Sequence, residues 1–183
     1  MQASRSVPEP LRQLPNALTI LRFVAIPVFV VLLVRDQDGP SWAAGIVFGL
    51  AGITDQLDGW LARRWHVESE FGKVADPLAD RLMIDAAVIL LLAAHRLPWA
   101  ALLILGRDVL LIAGYKVVMP RGYELSVNFL GKAATWLLYA GLGFVLATHK
   151  GTEWPLWIFW IGIGFALAAF VLYLRSAWKV VRA

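Results

Sequence analysis

Cysteine is absent from the 183-residue chain, which excludes disulfide bonds, thiolate ligands for a metal and catalysis by a cysteine nucleophile. Charge is also scarce, because Asp, Glu, Lys and Arg make up 16 % of the residues, whereas soluble domains contain about 25 %. Hydrophobic residues reach 60 %, and the mean hydropathy is +0.67. No basic stripe accompanies the net charge of +4, so nucleic acid is not an expected partner. The composition indicates an integral membrane protein.

Six apolar stretches predict an all-α bundle of six transmembrane helices. Each stretch is long enough to cross a bilayer, for which a helix needs about 20 residues. They run over 17–34, 42–62, 77–94, 97–118, 130–148 and 154–174. Residues 1–183 are expected to form a single domain, with 1–16 as a polar N-terminal arm rather than a cleavable signal. Gly141, Gly143, Gly162 and Gly164 are predicted to be helix-packing positions.

The distribution of Lys and Arg between the loops predicts the orientation of the bundle in the membrane. Ten basic residues lie in the N-terminal arm, the 63–73 and 116–128 loops and the C-terminal tail. The opposite side carries three, namely Arg35, Arg96 and Lys150. Both termini are therefore expected to face the cytoplasm.

Four aspartates form the most informative pattern in the chain: Asp55, Asp58, Asp76 and Asp80. Carboxylates beside apolar stretches are costly and are by default functional candidates. Spacings of three and four residues place each pair on one face of its helix. Two such faces turned toward each other would provide an oxygen-only ligand set, which suits Mg²⁺ or Mn²⁺ better than zinc. We therefore predict a metal site here, at the cytoplasmic ends of the second and third spans, which holds two divalent ions if the carboxylates are shared.

Small residues and one arginine accompany the four aspartates. Gly59, Ala62 and Gly72 leave room for a bulky ligand, and Arg63 can form a forked contact to phosphate oxygens. Together these residues predict a site for a metal and a diphosphate. The alternative is a purely structural acid set that forms salt bridges with arginines inside the bundle, but such pairing does not explain the small residues.

The order Asp-x2-Asp-Gly-x2-Ala-Arg-x8-Gly-x3-Asp-x3-Asp resembles the signature of the CDP-alcohol phosphotransferases (phosphatidyltransferases), and every fixed position is met. Leu14-Pro15-Asn16 to Arg22 is similar to the segment that leads into the family's first span. The resemblance implies six membrane helices, a homodimer, CDP-diacylglycerol as the donor, and a location in the bacterial cell membrane. It also implies that Asp55, Asp58 and Asp76 are metal ligands and that Asp80 is a ligand or the general base.

By the same resemblance, the nucleotide and its diphosphate would contact Asp58, Gly59, Ala62, Arg63 and Gly72. Asp80 would accept a proton from the acceptor hydroxyl as that oxygen attacks phosphorus, and CMP would leave. The acid–base role and the ligand role of Asp80 are both compatible with the sequence.

Three cations in apolar surroundings are candidates for binding an anionic acceptor: Arg22, Arg107 and Lys132. Lys132 is favoured, because Gly131-Lys132-Ala133-Ala134-Thr135 resembles the Gly-Lys-x2-Thr stretch of the family's glycerol-type branch. The alternative for these cations is pairing with Asp85, Asp108 or the four aspartates.

The glycerol-type branch contains phosphatidylglycerophosphate synthases and cardiolipin synthases, so two acceptors are expected. The first is glycerol 3-phosphate, and the alternative is phosphatidylglycerol. A more distant alternative is a divalent-cation transporter, whose acids would be spread through the membrane depth rather than gathered at one interface.

Overall fold

The computed structural model describes residues 13–36, 39–65, 70–118 and 129–182, and it is helical throughout these ranges apart from short connections. Within them it contains six α-helices. They are α1 (Leu14–Arg35), α2 (Trp42–Trp65), α3 (Glu70–Ala93), α4 (Leu102–Val118), α5 (Phe129–Ala147) and α6 (Trp154–Arg182), with a 3₁₀ turn at Trp99–Ala101. The prediction of an all-α fold with six helices in these regions is confirmed for the described residues.

The helix bounds differ from the predicted spans where polar residues continue a helix beyond its apolar part. Helix α3 begins at Glu70 rather than at 77, and α6 continues to Arg182 rather than ending at 174. Helix α1 begins at Leu14, so residues 14–16 of the expected arm are helical. The apolar stretches mark only the part of each helix that suits a lipid environment. The helix itself continues until its backbone hydrogen bonds end, so its bounds can lie outside the apolar stretch.

Three of the described helices are long and apolar enough to cross a membrane: Asn16–Arg35, Phe129–Ala147 and Trp154–Ser176. Helix α2 has a shorter apolar part, Trp42–Asp55, that ends at the first aspartate of the motif. These helices make the chain a membrane protein. The six-span count and the cytoplasmic position of the termini stay predictions.

The helices alternate in direction, so the described ends form two groups. The ends of α1, α3 and α5 lie together with the starts of α2, α4 and α6, and the motif aspartates belong to the opposite end of the bundle. The largest helix–helix contact is between α5 and α6, while α1 packs against both α2 and α3, and α2 packs against α5. Phe29, Phe48, Leu91 and Leu142 are fully buried at the centre of this bundle.

Arg96 forms hydrogen bonds between helix ends at the end of the bundle that is remote from the motif aspartates. Its Nη1 donates to the carbonyl oxygen of Gly39 at 3.0 Å, and its Nη2 donates to the carbonyl oxygens of Val145 and Thr148. The last carbonyl groups of a helix lack partners within that helix, so a buried guanidinium can satisfy them. Arg96 thus joins the α1–α2 connection to the end of α5.

Gly141 and Gly162 occupy the closest approach of α5 to α6. A Cβ atom at Gly141 would lie 2.7 Å from the backbone nitrogen of Phe159, and one at Gly162 would lie 3.1 Å from Leu138 N. The packing prediction is confirmed for these two positions. It is wrong for Gly164, where a Cβ atom would meet nothing within 4 Å among the described residues.

Gly141→Ala is expected to lower the free energy of unfolding by about 1–3 kcal/mol, because the added methyl group meets backbone that cannot move aside. Gly164→Ala is the matched control, since it adds the same methyl group on the partner helix into open space. Thermal unfolding in detergent measures both variants. Equal stability of Gly141→Ala and Gly164→Ala would show that the two helices do not approach closely at Gly141.

Candidate active site

The motif aspartates all lie within two helices that are consecutive in the chain. Asp55 and Asp58 belong to the last three turns of α2, and Asp76 and Asp80 belong to the first three turns of α3. The side chains of Asp58 and Asp76 are outside the described part of the structure, as are those of Ala62 and Arg63 and the surroundings of Gly59 and Gly72. Their predicted roles stay predictions. Asp55 and Asp80 are described, and their surroundings define the site.

Asp55 is paired with a buried arginine from the first helix. Arg22 Nη1 lies 2.9 Å from Asp55 Oδ1, and the side chain of Arg22 is fully buried whereas that of Asp55 is 18 % exposed. Arg22 also lies close enough to Asp80 to interact with its charge. A guanidinium in an apolar bundle needs a carboxylate beside it, because an unpaired buried charge is strongly destabilising. The structure thus pairs Arg22 with Asp55, one of the four aspartates that the sequence left as its alternative partners.

Asp80 of α3 lies near α5 as well as near Arg22. The Tyr139 hydroxyl lies beside its carboxyl group. Asp80 Oδ1 is buried, and among the described residues it has no partner with full hydrogen-bond geometry. Such an oxygen is costly in an apolar interior unless a proton donor or a cation compensates it. Asp80 is therefore suited to receive a ligand.

A second charged cluster lies next to Asp80 on α3 and α4. Asp108 Oδ1 accepts from Arg107 Nη1 at 2.7 Å and from Arg81 Nη1 at 3.2 Å. Asp108 is buried, whereas the side chains of Arg81 and Arg107 are 31 % and 14 % exposed. Asp85 carries a buried Oδ1 beside these arginines. The pairing alternative for Arg107 is thus confirmed, and its partly exposed guanidinium still presents further donors.

Lys132 lies apart from these ion pairs. It is exposed in the first turn of α5. Tyr139 follows it by seven positions, which places both on one face of α5 at a spacing of about two turns. Lys132 therefore belongs to the helix face that turns toward Asp80, but nearer the end of the helix.

Tyr139 is the residue of the site that sequence reasoning missed. The seven-residue spacing from Lys132 was a usable signal for Tyr139, because it places the tyrosine on the face of a candidate site residue. Asp108 was considered only as a partner of a cation. Its role in joining two arginines depends on the approach of α3 to α4, which no local pattern encodes.

The carboxylates fit a divalent metal by their chemistry. Four aspartates and Arg22 leave three negative charges when all are ionised, and every candidate ligand atom is an oxygen. Hard cations such as Mg²⁺ and Mn²⁺ prefer such ligands. Within the described side chains no three metal-ligating groups come together, and Asp58 and Asp76 are outside that set.

A cavity of ≈ 310 Å³ lies at the remote end of the bundle, and its lining does not fit a site for a divalent metal. It is lined by His95, Arg96, His149 and Lys150, among others. No carboxylate belongs to its described lining, so it offers no oxygen ligands from acidic side chains for a divalent cation. The candidate active site is therefore the aspartate end of the bundle.

Comparison with known protein families and curated relatives identifies the family of this chain. The family model described as CDP-alcohol phosphatidyltransferase matches residues 12–170. A cardiolipin synthase (CMP-forming) from Streptomyces coelicolor is 38 % identical over 147 residues, which cover 76 % of this chain and 68 % of the relative. Two proteins named CDP-diacylglycerol–glycerol-3-phosphate 3-phosphatidyltransferase are also similar. The one from Bacillus subtilis is 34 % identical over an aligned region that covers 67 % of this chain and 70 % of the relative. The one from Haemophilus influenzae is 31 % identical, with 73 % and 75 % covered.

Proposed function

Since the chain belongs to the CDP-alcohol phosphatidyltransferase family, we propose that it transfers a phosphatidyl group from CDP-diacylglycerol to a glycerol-type acceptor and releases CMP. The observation that carries the proposal is the juxtaposition of Asp55, Arg22 and Asp80, from three helices, at the motif that the family shares. Asp80 adds a buried carboxylate oxygen that has no partner with full hydrogen-bond geometry among the described residues.

Asp55, Asp58, Asp76 and Asp80 would hold Mg²⁺ or Mn²⁺, with room for two ions. Divalent ions neutralise the charge that develops on the leaving phosphate when a diphosphate bond breaks. Arg22 balances the charge of Asp55 and fixes the direction of its carboxylate through the 2.9 Å ion pair. Arg63, Gly59, Ala62 and Gly72 would bind the cytidine diphosphate, as the motif implies.

Asp80 is the residue that we assign to proton transfer. As the acceptor oxygen attacks the phosphorus, its proton would pass to a carboxylate oxygen of Asp80. The P–O bond to CMP breaks, and a phosphodiester remains on the lipid. The burial of Asp80 Oδ1 limits its contact with bulk water, which favours transfer to the acceptor over hydrolysis of the donor.

The acceptor is proposed to be glycerol 3-phosphate, with phosphatidylglycerol as the second candidate. Relatives of both names match the chain over comparable lengths. Both acceptors carry a phosphate. Arg81, which lies near Asp80, would provide positive charge for it together with Arg107 and Lys132. Arg22 is fully buried against Asp55, so we assign it to the carboxylates rather than to the acceptor.

The placement of the enzyme follows from the same arguments. We propose six spans with both termini and the active site at the cytoplasmic face of a bacterial cell membrane, as the loop charges favour. We also propose a homodimer, on the family resemblance alone.

An acceptor panel tests this function. Purified protein in liposomes with CDP-diacylglycerol should release CMP with glycerol 3-phosphate and give phosphatidylglycerophosphate, identified by mass. Product formed only with phosphatidylglycerol would assign the chain to cardiolipin synthesis. Absence of CMP release with every acceptor would contradict phosphatidyl transfer and favour the transporter alternative.

Lys132→Ala and Arg107→Ala are each expected to raise the acceptor KM about tenfold or more, because a charge-assisted hydrogen bond contributes about 1.5–3 kcal/mol. The KM for CDP-diacylglycerol should change less than twofold. Lys150→Ala is the matched control, since it removes a lysine from the remote end of the bundle. Steady-state kinetics at varied acceptor concentration measure the effect, and an unchanged acceptor KM in both variants would assign the two residues to structural roles.

A further inference from the structure

The Tyr139 hydroxyl is an unexplained polar group in an apolar place. It belongs to α5, one of the helices long enough to span a membrane, and its Oη is buried. Among the described residues, Oη has no partner with full hydrogen-bond geometry, although it lies beside the Asp80 carboxyl group. Burial of a hydroxyl without a hydrogen bond costs about 1–3 kcal/mol. Phenylalanine would make the same ring contacts without that cost, so packing does not account for the hydroxyl.

The ring of Tyr139 is fixed by two residues of α2 that are four positions apart. A Cβ atom at Gly52 would lie 2.7 Å from Tyr139 Cδ1 and 2.9 Å from Cε1, so the ring packs directly against the backbone of α2. The ring of Phe48 lies 4.8 Å away between centroids and is tilted by 35°. A tyrosine side chain has only two rotatable bonds, so a ring confined in this way fixes the position of its hydroxyl.

The position of the Tyr139 ring brings α5 together with α2 and α3 at the site. Gly52 stands three residues before Asp55 on α2, so both lie on one side of that helix. Tyr139 extends from α5 across Gly52 toward Asp80 on α3. The hydroxyl therefore reaches a carboxylate whose own Oδ1 is buried and lacks full hydrogen-bond geometry among the described residues.

We propose that Tyr139 is a positioning residue, whose hydroxyl donates a hydrogen bond to Asp80 and sets the direction of that carboxylate in the reaction, and that Gly52 is required because it admits the ring. This inference rests on the proposed role of Asp80. Hydrogen-bond partners that orient a functional carboxylate typically contribute 10–100-fold to activity or metal affinity. Tyr139 itself touches no substrate in this account.

Tyr139→Phe tests the hydroxyl alone, because it retains the ring. We expect kcat to fall about tenfold. The KM values for CDP-diacylglycerol and for the acceptor should stay within about twofold of the wild type, and the melting temperature should stay within about two degrees of it. Binding of Mn²⁺, counted by electron paramagnetic resonance, should keep its wild-type stoichiometry. A merely structural tyrosine would instead change stability with no selective loss of kcat.

Gly52→Ala tests the confinement with an independent substitution. The methyl group displaces the ring, so kcat should fall in the same direction as in Tyr139→Phe. Gly49→Ala is the matched control on the same helix, because a Cβ atom there meets nothing within 4 Å among the described residues. In the double variant Gly52→Ala/Tyr139→Phe, the loss of kcat should not exceed that of the more affected single variant, since only one hydrogen bond can be lost.

Asp80→Asn, assayed in parallel, separates the two hypotheses. Wild-type activity in Asp80→Asn would remove the proposed role of Asp80. An inactive Asp80→Asn together with wild-type kcat in Tyr139→Phe would overturn the inference about Tyr139 and leave the proposed function intact. An equal loss of kcat in Gly49→Ala and Gly52→Ala would also overturn it.

Discussion

Asp80→Asn is expected to lower kcat by about 10²–10⁴-fold, which is the usual contribution of a general acid–base residue. Asparagine keeps the shape of the side chain but can neither accept the proton nor carry the negative charge. Asp55→Asn should be affected to a similar extent, because it removes a charge from the group that would hold the metal. Turnover of CDP-diacylglycerol at saturating acceptor measures both variants.

Glu153→Gln is the control for these substitutions. It makes the same chemical change in an exposed loop at the remote end of the bundle, and its kcat should equal that of the wild type. Mn²⁺ binding distinguishes the two roles of Asp80. Lost binding would identify a ligand, and retained binding with lost turnover would identify the base. Wild-type turnover in Asp55→Asn and Asp80→Asn would show that the carboxylates do not take part.

Arg22→Met should have the largest effect on stability. It removes the 2.9 Å partner of Asp55, whose side chain is only 18 % exposed, and breaking a buried pair costs about 3–5 kcal/mol. The change is expected to lower the melting temperature in detergent strongly and to reduce expression. Saturating Mn²⁺ should restore part of the stability, because it supplies positive charge beside the same carboxylates.

Arg35→Met is the matched control, since Arg35 lies exposed in the last turn of the same helix. Its melting temperature should stay close to that of the wild type. The double variant Arg22→Met/Asp55→Asn should regain most of the stability lost by Arg22→Met, because the uncompensated charge is gone. It should nevertheless remain inactive. A stable Arg22→Met protein would mean that Asp55 is compensated by another group.

Helix positions and the aspartate motif were readable from sequence because both are local patterns. Apolar runs predicted the six helices, and the three- and four-residue spacings predicted which aspartates share a helix face. The connection at His95, which adopts a left-handed backbone with φ 53°, lies in the gap between the predicted stretches 77–94 and 97–118. The starts of α3 and α4 were predicted less accurately. Hydropathy does not mark the amphipathic first turns of α3 or the 3₁₀ turn at Trp99–Ala101 before α4.

The pairing of charges across helices was not readable. Arg22 had several candidate carboxylates, and the choice of Asp55 depends on how α1 packs against α2. Periodicity specifies a face of a helix but not the neighbour that the face meets. The same limit applies to Tyr139, whose ring packs against the backbone of α2 at Gly52 while its hydroxyl lies near Asp80. Gly164 shows the converse, because a glycine in an apolar helix need not mark a close contact.

The most direct test of the account is the stoichiometry of a single reaction, measured with purified protein in liposomes. CMP and the phosphatidyl product should form in equal amounts from CDP-diacylglycerol and glycerol 3-phosphate. Both should disappear with EDTA and return with Mg²⁺ or Mn²⁺. CMP released without an equal amount of phosphatidyl product, or equal formation of both in EDTA, would contradict a metal-dependent phosphatidyl transfer at the aspartate site.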